Sequence, residues 1–400
     1  MDRICEVISD NVVKGSTILD IFAGTNCVSY GLSKSFRVFS NDIQVFSFII
    51  ASALLMNRDR ISVQDAKKDI EQKYWNNYDR LNRRYKPALD SEMRLIKLPI
   101  SRFRQYKNFC DSFKEVNNSS HFSHRLGSDG VKSSQANSLY DLFTTYFSNS
   151  YFGLKQCLQI DSLKFAIDRL DPQHQRRKYL YLCALIYSLD SCVASPGHFA
   201  QFLTAHSRKS FSRIVEERKK DIRETFYDIV SYFCQNLPCS SLQHEAWCTD
   251  YVDLFDPYSE FHSRMKEVDL VYADPPYTAD HYSRFYHVLE TLVKYDYPEI
   301  DGKGLYRKDR FASNFSIKSK SISEFDRLLS LVSSHSYKLL LSYNNDGLIS
   351  SDQLIKLCKM YFARVEHSDT EYNHSNQGRI NADCQKRRYP RKEYLLYCTN

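Results

Sequence analysis

The stretch "VDLVYADPPY", residues 268 to 277, places an aspartate, two prolines and a tyrosine directly after a short apolar run. Proline fixes φ near −65° and removes a backbone donor, so such a turn is rigid and rich in acceptors. Asp274 and the carbonyl of Pro275 are candidates to accept both hydrogens of one –NH2 group. Accepting both frees a nitrogen lone pair, otherwise delocalised into an aromatic ring, to attack an electrophile. Pro276 stiffens the turn, and Tyr277 offers a face on which such a ring can stack. A plain Pro-Pro turn after a strand is the other reading.

Three more acids fall where strands are expected to end: Asp20 in "LDIFAGTN", Asp42 in "FRVFSND" and Asp250 in "EAWCTD". In open α/β sheets ligands bind at the carboxyl ends of the strands. Carboxylates there can accept from ribose hydroxyls and from an adenine amino group. Ala23 and Gly24 leave room for backbone to approach a ligand closely. "FAGTN" is not the GxGxxG dinucleotide fingerprint, and taken alone it also fits an ordinary strand–helix turn.

The elements that would carry these residues alternate at both ends of the chain. "STILDIFAGTN" predicts a buried strand and a turn, "VSYGLSK" a helix, "FRVFSND" a second strand, and "VFSFIIASALLMN" a helix apolar on nearly every face. This is the start of a doubly wound α/β sheet. After residue 57 the sequence turns basic and aromatic, then helical in "IDSLKFAIDRL", "RKYLYLCALIYSLDSCVA" and the single segment "SFSRIVEERKKDIRETFYDIVSYF". Alternation resumes near residue 247. "VDLVYA", "YKLLLSYNN", "FARVEHSDTEYN" and "EYLLYCT" read as strands, the last two as a hairpin at the sheet edge. "FYHVLETLVKY", "ISEFDRLLSLVSSH" and "SSDQLIKLCKMY" read as helices. The division expected is 1–56, a helical insertion at 57–233, and 234–400.

Composition sets the outer limits. The 400 residues are 42% hydrophobic and 26% charged, which suits a globular protein with real cores. A net charge of +7 admits an anionic partner. The 12 cysteines contain no CxxC pair and no secretory leader is visible, so reduced thiols and a cytoplasmic location are expected. Cys234, Cys239, His244 and Cys248 have zinc-ligand types without a standard zinc spacing, and no metal is expected. The longest apolar stretch, "FSFIIASALLM", is too short to cross a bilayer.

"DIFAGTN", then "SND", then "TD" ahead of "VDLVYADPPY" resembles the DNA adenine-N6 methyltransferases that use S-adenosylmethionine. The order of cofactor motif, long insertion and DPPY resembles the α arrangement shared by phage and Dam-type adenine-specific methylases. The resemblance covers both ends of the chain well and the insertion loosely. It implies a Rossmann-like methyltransferase sheet with a target-recognition insertion, acting on double-stranded DNA in a restriction–modification or defence setting. It also implies that Asp20, Phe22, Ala23 and Gly24 form the S-adenosylmethionine loop, that Asp42 takes the ribose or adenosine, and that Asp250 meets the cofactor's adenine amino group. Asp274, Pro275, Pro276 and Tyr277 would hold a flipped target base. Transfer in this family is direct to nitrogen, so no cysteine need be catalytic.

Two departures from the family pattern stand out. Asn26 occupies a position often held by glycine, and Lys14 and Gly15 do not reproduce the "GxK"-like segment that closes over the methionine part. Three expectations stay open for the second: a start cut short, a partner chain that completes the cofactor site, or weak cofactor binding. DNA-backbone contacts are expected from Arg379, Lys386, Arg387, Arg388, Arg391 and Lys392 in the late loop. Arg83, Arg84, Lys86, Arg102 and Arg104 in the insertion are further candidates, and "SPGHFAQFL" with His198 is a candidate recognition element. The alternatives are amino-methylation of cytosine or RNA, and a DNA-binding subunit inactive alone.

Overall fold

A computed structural model describes residues 1–57, 61–120, 140–237, 241–373 and 390–400, with side chains described at all of these but 113–120, 370–373 and 390–391. Its strands are β1 (Thr17–Asp20), β2 (Arg37–Asn41), β3 (Glu245–Trp247), β4 (Leu270–Ala273), β5 (Ile300–Asp301), β6 (Tyr306–Arg307), β7 (Lys338–Asn344), β8 (Arg364–Asn373) and β9 (Pro390–Thr399). The chain divides into two compact units: Met1–Arg58 with Pro238–Phe285 and Arg310–Asn400, and Asp59–Leu237 with Tyr286–Asp309.

The first unit is built on a sheet of order β3-β2-β1-β4-β7-β9-β8. β3, β2, β1, β4 and β7 run parallel, and β9 is antiparallel to both β7 and β8. The closing hairpin therefore lies at the sheet edge, as the sequence predicts. β1 and β4 are buried at every residue because helices cover both faces, which is why they read as continuous apolar runs. On one face Leu19, Val271, Leu339 and Leu341 pack with Leu328, Leu329, Leu354 and Cys358 of the helices Ser321–Ser334 and Ser351–Tyr361. On the other, Ile18, Val38, Tyr272, Leu340 and Leu395 meet Ile4, Val7, Ile8, Leu32, Ala51 and Leu55. Each fully buried aliphatic side chain contributes about 1.5–3 kcal/mol relative to exposure. From β1 the chain winds outward to β2 and β3, and β4 returns to the other side of β1. The order reverses between β1 and β4, and the carboxyl ends at such a switch point are where open α/β sheets bind ligands.

The second unit is mainly helical, with the two-stranded β5–β6 hairpin added. Its helix Val63–Leu95 starts in a capping box of Ser62 and Asp65, and buries Ala66, Ile70, Tyr74, Asn77, Leu81, Tyr85 and Leu89 along one stripe. The basic, aromatic texture of residues 63–95 is thus one long helix with its charges on the remaining faces, apart from the buried Glu92, and a second helix, Phe103–Ser120, follows.

Two expectations change. The segment read as a single helix near 210–233 is two, Arg208–Lys219 and Ile222–Asn236. Lys220 is extended, and the Asp221 carboxylate caps the second helix by accepting from the amides of Arg223 and Glu224 (both 3.1 Å). The division of the chain also departs from 234–400, because Tyr286–Asp309 falls in the helical unit. Tyr295 explains this locally: its hydroxyl donates to buried Asp161 (2.6 Å), which also accepts the amides of Phe143 and Thr144.

Candidate active site

The loop after β1 is held by backbone bonds to its neighbours. Ile21 N–H donates to Tyr272 O (3.1 Å), Ala23 N–H to Asn41 O (3.0 Å) and Asn26 N–H to Ala23 O (2.7 Å). Gly24 sits at φ +51°, a left-handed conformation that glycine adopts without strain, and a Cβ there would meet nothing within 4 Å. Asn26 is also left-handed, at φ 62°. Its side chain is fully buried, accepting from Ser40 Oγ (2.5 Å) and donating to Ser47 O (3.0 Å). Asparagine therefore supplies the turn that glycine would, plus a tie to β2 and to the helix Val45–Leu55. Phe22 packs against Tyr251 and edge-on to Phe315.

Asp20 ends β1 at 1% exposure. Ser29 Oγ donates to its Oδ2 (2.7 Å), while its Oδ1 is buried without a hydrogen-bond partner among the described residues. Burial pushes its carboxyl up to about 7; the Ser29 hydroxyl and the Phe22 amide oppose this, and the charge of Asp42 adds to it. Asp42 takes the Gly24 N–H on Oδ2 and the Gln44 N–H on Oδ1 (2.9 Å each). Asp250 caps the helical turn Tyr251–Leu254 through the Val252 amide (3.1 Å).

On the neighbouring strand, Asp274 to Tyr277 follow the last residue of β4. Asp274 is solvent-accessible from the open side. Its carboxyl is pushed up to about 7, by burial first and then by the charges of Glu393 and Asp20, against the Ser342 hydroxyl and the N-terminal ammonium. Solvent on the open side offsets part of the burial effect; the repulsion between carboxylates remains. Tyr277 is half-buried, with its ring 5.3 Å from that of Tyr343. Its carbonyl accepts the Leu348 N–H (2.9 Å).

The residues around this loop are those a linear reading misses. β4 and β7 pair Ala273 with Leu341, so Asp274 and Ser342 each lie one residue further along. β7 and β9 pair Ser342 with Leu395 and Asn344 with Glu393. Ser342 Oγ donates to Glu393 Oε1 (3.2 Å). Tyr272, opposite Asp20 in the register, has a buried hydroxyl with no hydrogen-bond partner among the described residues. Burial raises its phenol, and the charges of Asp274, Asp20 and Glu393 raise it further. No sequence motif carries Ser342, Glu393 or Tyr343; only the period-2 alternation of two late strands hints that they share this edge.

The sequence matches the profile of the D12 class N6 adenine-specific DNA methyltransferases over residues 1–246 and 251–343. The chain belongs to this family. It is similar to the modification methylase LlaI of Lactococcus lactis subsp. lactis, 25% identical over 93% of this chain and 49% of that protein. It is also similar to the type II methyltransferase M.FokI of Planomicrobium okeanokoites, 22% identical over 90% of this chain and 45% of that one. A third relative, the modification methylase StsI of Streptococcus sanguinis, is 23% identical over 86% of the chain and 42% of its own length. The chain thus spans about half the length of these relatives.

A D12 class methyltransferase implies S-adenosylmethionine as methyl donor. The β1 loop fits that molecule on two counts: the unfilled space at Gly24, and the orphaned carboxylate oxygen of Asp20, which suits a cationic group.

Of the basic residues expected to meet DNA, Arg379, Lys386, Arg387 and Arg388 lie outside the described residues. Arg391 pairs with Tyr372 in the β8–β9 register, and the Lys392 ammonium lies 3.4 Å from Asp369. Within the helical unit, Arg84 stands 3.7 Å from Asp141 and Lys86 2.8 Å from Asp90, while His198 Nδ1 accepts the Ala200 N–H (3.2 Å). That unit also carries an open groove lined by Arg208, Lys209, Ser212 and Arg213. Of the four candidate zinc ligands, Cys239 lies outside the described residues, and His244 Nδ1 accepts the Val38 N–H (3.1 Å). Among the described residues no group of three or more His, Cys, Asp or Glu is placed to hold a metal, and no helix is long and apolar enough to cross a membrane.

Proposed function

We propose that this chain transfers a methyl group from S-adenosylmethionine to the exocyclic 6-amino group of an adenine turned out of double-stranded DNA. One observation carries the reading: Asp274-Pro275-Pro276-Tyr277 stands at the carboxyl end of β4, at the switch point of the sheet, with Asp20, whose Oδ1 is orphaned, at the end of the adjacent β1. S-adenosylmethionine supplies an electrophilic methyl on a sulfonium.

The residues divide the work. Asp20, Phe22, Ala23 and Gly24 cradle the donor. Asp42 takes its ribose hydroxyls, and Asp250 its adenine amino group. Ionised Asp274 and the Pro275 carbonyl accept the two hydrogens of the target amine, aiming its lone pair at the methyl. Tyr277 stacks on the flipped base. Pro276 keeps the loop stiff. Arg379, Lys386, Arg387 and Arg388, together with Arg391 and Lys392 at the start of β9, hold the DNA backbone. The relatives' names as modification methylases support a protective role in restriction–modification.

The test is labelled S-adenosylmethionine with duplex DNA carrying all sequence contexts, for the wild type and Asp274→Ala. Label should appear in N6-methyladenine with the wild type alone, while the variant keeps its DNA affinity. Full activity in Asp274→Ala would refute the assigned role; label in cytosine would redirect the reading to that base.

A further inference from the structure

Direct transfer to an amine leaves one proton too many on nitrogen, and the fate of that proton is legible in the sheet. Ser342 is 2% exposed and has a single hydroxyl proton, which it donates to Glu393. That one hydroxyl serves two carboxylates, since its hydrogen bond also holds the Asp274 carboxyl down, and whenever it donates to Glu393 its oxygen lone pairs are what it offers Asp274, one residue past the Ala273–Leu341 pair. A protonated Asp274 can donate to that oxygen; an ionised one cannot. Glu393 is half-buried on β9, one strand closer to the edge, where solvent can collect a proton. It also lies beyond residue 343, where the family profile match ends.

We propose that Ser342 and Glu393 form the proton exit from Asp274. This rests on the amine-methylation reading above. In the step, the N–C bond to the methyl forms as its C–S bond breaks, with the electron pair staying on sulfur. One N–H proton then passes to the Asp274 carboxylate. Asp274 donates it to Ser342 Oγ, and the Ser342 proton moves to Glu393, which returns it to water. Asp274 is ionised again for the next amine. Ser342 and Glu393 are positioning residues in this scheme, since neither touches the base.

The groups facing Asp274 favour the direction. Asp20 from β1 and Glu393 from β9 repel its charge, so it takes up a proton readily; the Ser342 hydroxyl and the N-terminal ammonium of Met1 temper this. Tyr272 from β4 is neutral, its phenol raised by the same carboxylates. Once Glu393 is protonated, its repulsion ends and Asp274 is relieved of one negative neighbour.

The experiment is a single-turnover pH–rate profile of the full chain for the wild type, Glu393→Gln and Ser342→Ala, with donor affinity measured by calorimetry. Removing the Glu393 charge should move the acid limb down by about one pH unit, the size of a like-charge effect. Both variants should slow the plateau about a hundredfold with donor affinity kept, a typical general acid–base contribution at its lower end. An unmoved limb in Glu393→Gln overturns the proposal. So does a loss of donor affinity with the limb unchanged, which would make Glu393 a holder of the donor's ammonium. A carboxyl NMR titration of Asp274 reads the coupling without turnover. If the wild type transfers no methyl at any pH, the proposed function fails. If its Asp274 midpoint does not fall on Glu393→Gln, this inference fails independently. Should Glu393→Gln not fold, Glu393→Ala, which also removes the charge, takes its place in the same titration, with the same downward shift expected and no shift decisive against.

Discussion

Tyr343 meets the ring of Tyr277 at a centroid distance of 5.3 Å and an angle of 62°, while its own hydroxyl donates to Ile349 O (2.7 Å) and accepts Ile349 N–H (3.1 Å). The Tyr277 ring, proposed to stack on the target base, thus packs on a tyrosine that is itself pinned at its far end. Tyr343→Phe leaves a buried amide and carbonyl without partners, a cost of about 1–3 kcal/mol. Gly347→Ala is expected to be harsher, because its Cβ would lie 2.0 Å from the Tyr343 hydroxyl. Urea unfolding should show both losses. Fluorescence of 2-aminopurine at the target position should show weaker base capture; unaltered capture in both variants would separate Tyr277 from Tyr343.

Asn26 yields a graded pair of variants. Asn26→Gly keeps the left-handed backbone and loses the bonds to Ser40 and Ser47, for an expected cost of about 1–2 kcal/mol. Asn26→Ala loses the same bonds and adds strain at φ 62°, so it should fall about 1 kcal/mol further. Denaturant midpoints check the order, and an alanine variant as stable as glycine would contradict it.

The carboxyl of Asp20 implies a stability profile whose sign is opposite to that of an ion-paired acid. Its folded value of about 7 lies above the ordinary 3.8. Between these values the folded chain binds the extra proton, so this contribution to stability is full below about pH 4 and is lost as pH rises through 7. Thermal unfolding from pH 5 to 8 should fall more steeply in the wild type than in Asp20→Asn. Added S-adenosylmethionine should recover more of the melting temperature at pH 8 than at pH 5, since the ionised carboxylate is the form that holds a cation.

The late basic loop has a salt signature. If Arg379, Lys386, Arg387 and Arg388 neutralise phosphates, replacing all four with alanine should reduce the slope of log affinity against log salt by about 0.9 for each phosphate no longer neutralised. Replacing Arg208 and Lys209 gives the matching measurement for the groove of the helical unit. A slope unchanged in either case removes that surface from the DNA footprint.

The alternating elements at both ends of the chain, the helical insertion and the edge hairpin could all be read in sequence, because strands buried on both faces and one-sided helices leave strong periodic signals. DPPY could be read because its chemistry is contained in four consecutive residues. Ser342 and Glu393 could not: they reach Asp274 only through the register of β4, β7 and β9, and each looks like an ordinary strand residue in its own segment. The break at Lys220 and Asp221 was hidden by charged residues that favour helix on both sides. The membership of Tyr286–Asp309 in the helical unit rests on side chains such as Tyr295 and His287, whose partners are far away in sequence.

That last segment bears on how such proteins can exchange parts. The helical unit is drawn from two stretches, and the second enters partway along the helix Ser283–Lys294. Transplanting 59–237 alone from a relative would strand Tyr295 without Asp161, and His287 without Tyr151. A viable chimera needs four junctions and two donor pieces moved together. Shuffling by a single crossover is therefore penalised, and new specificities in this lineage should arise more readily by point substitution within the unit than by swapping it.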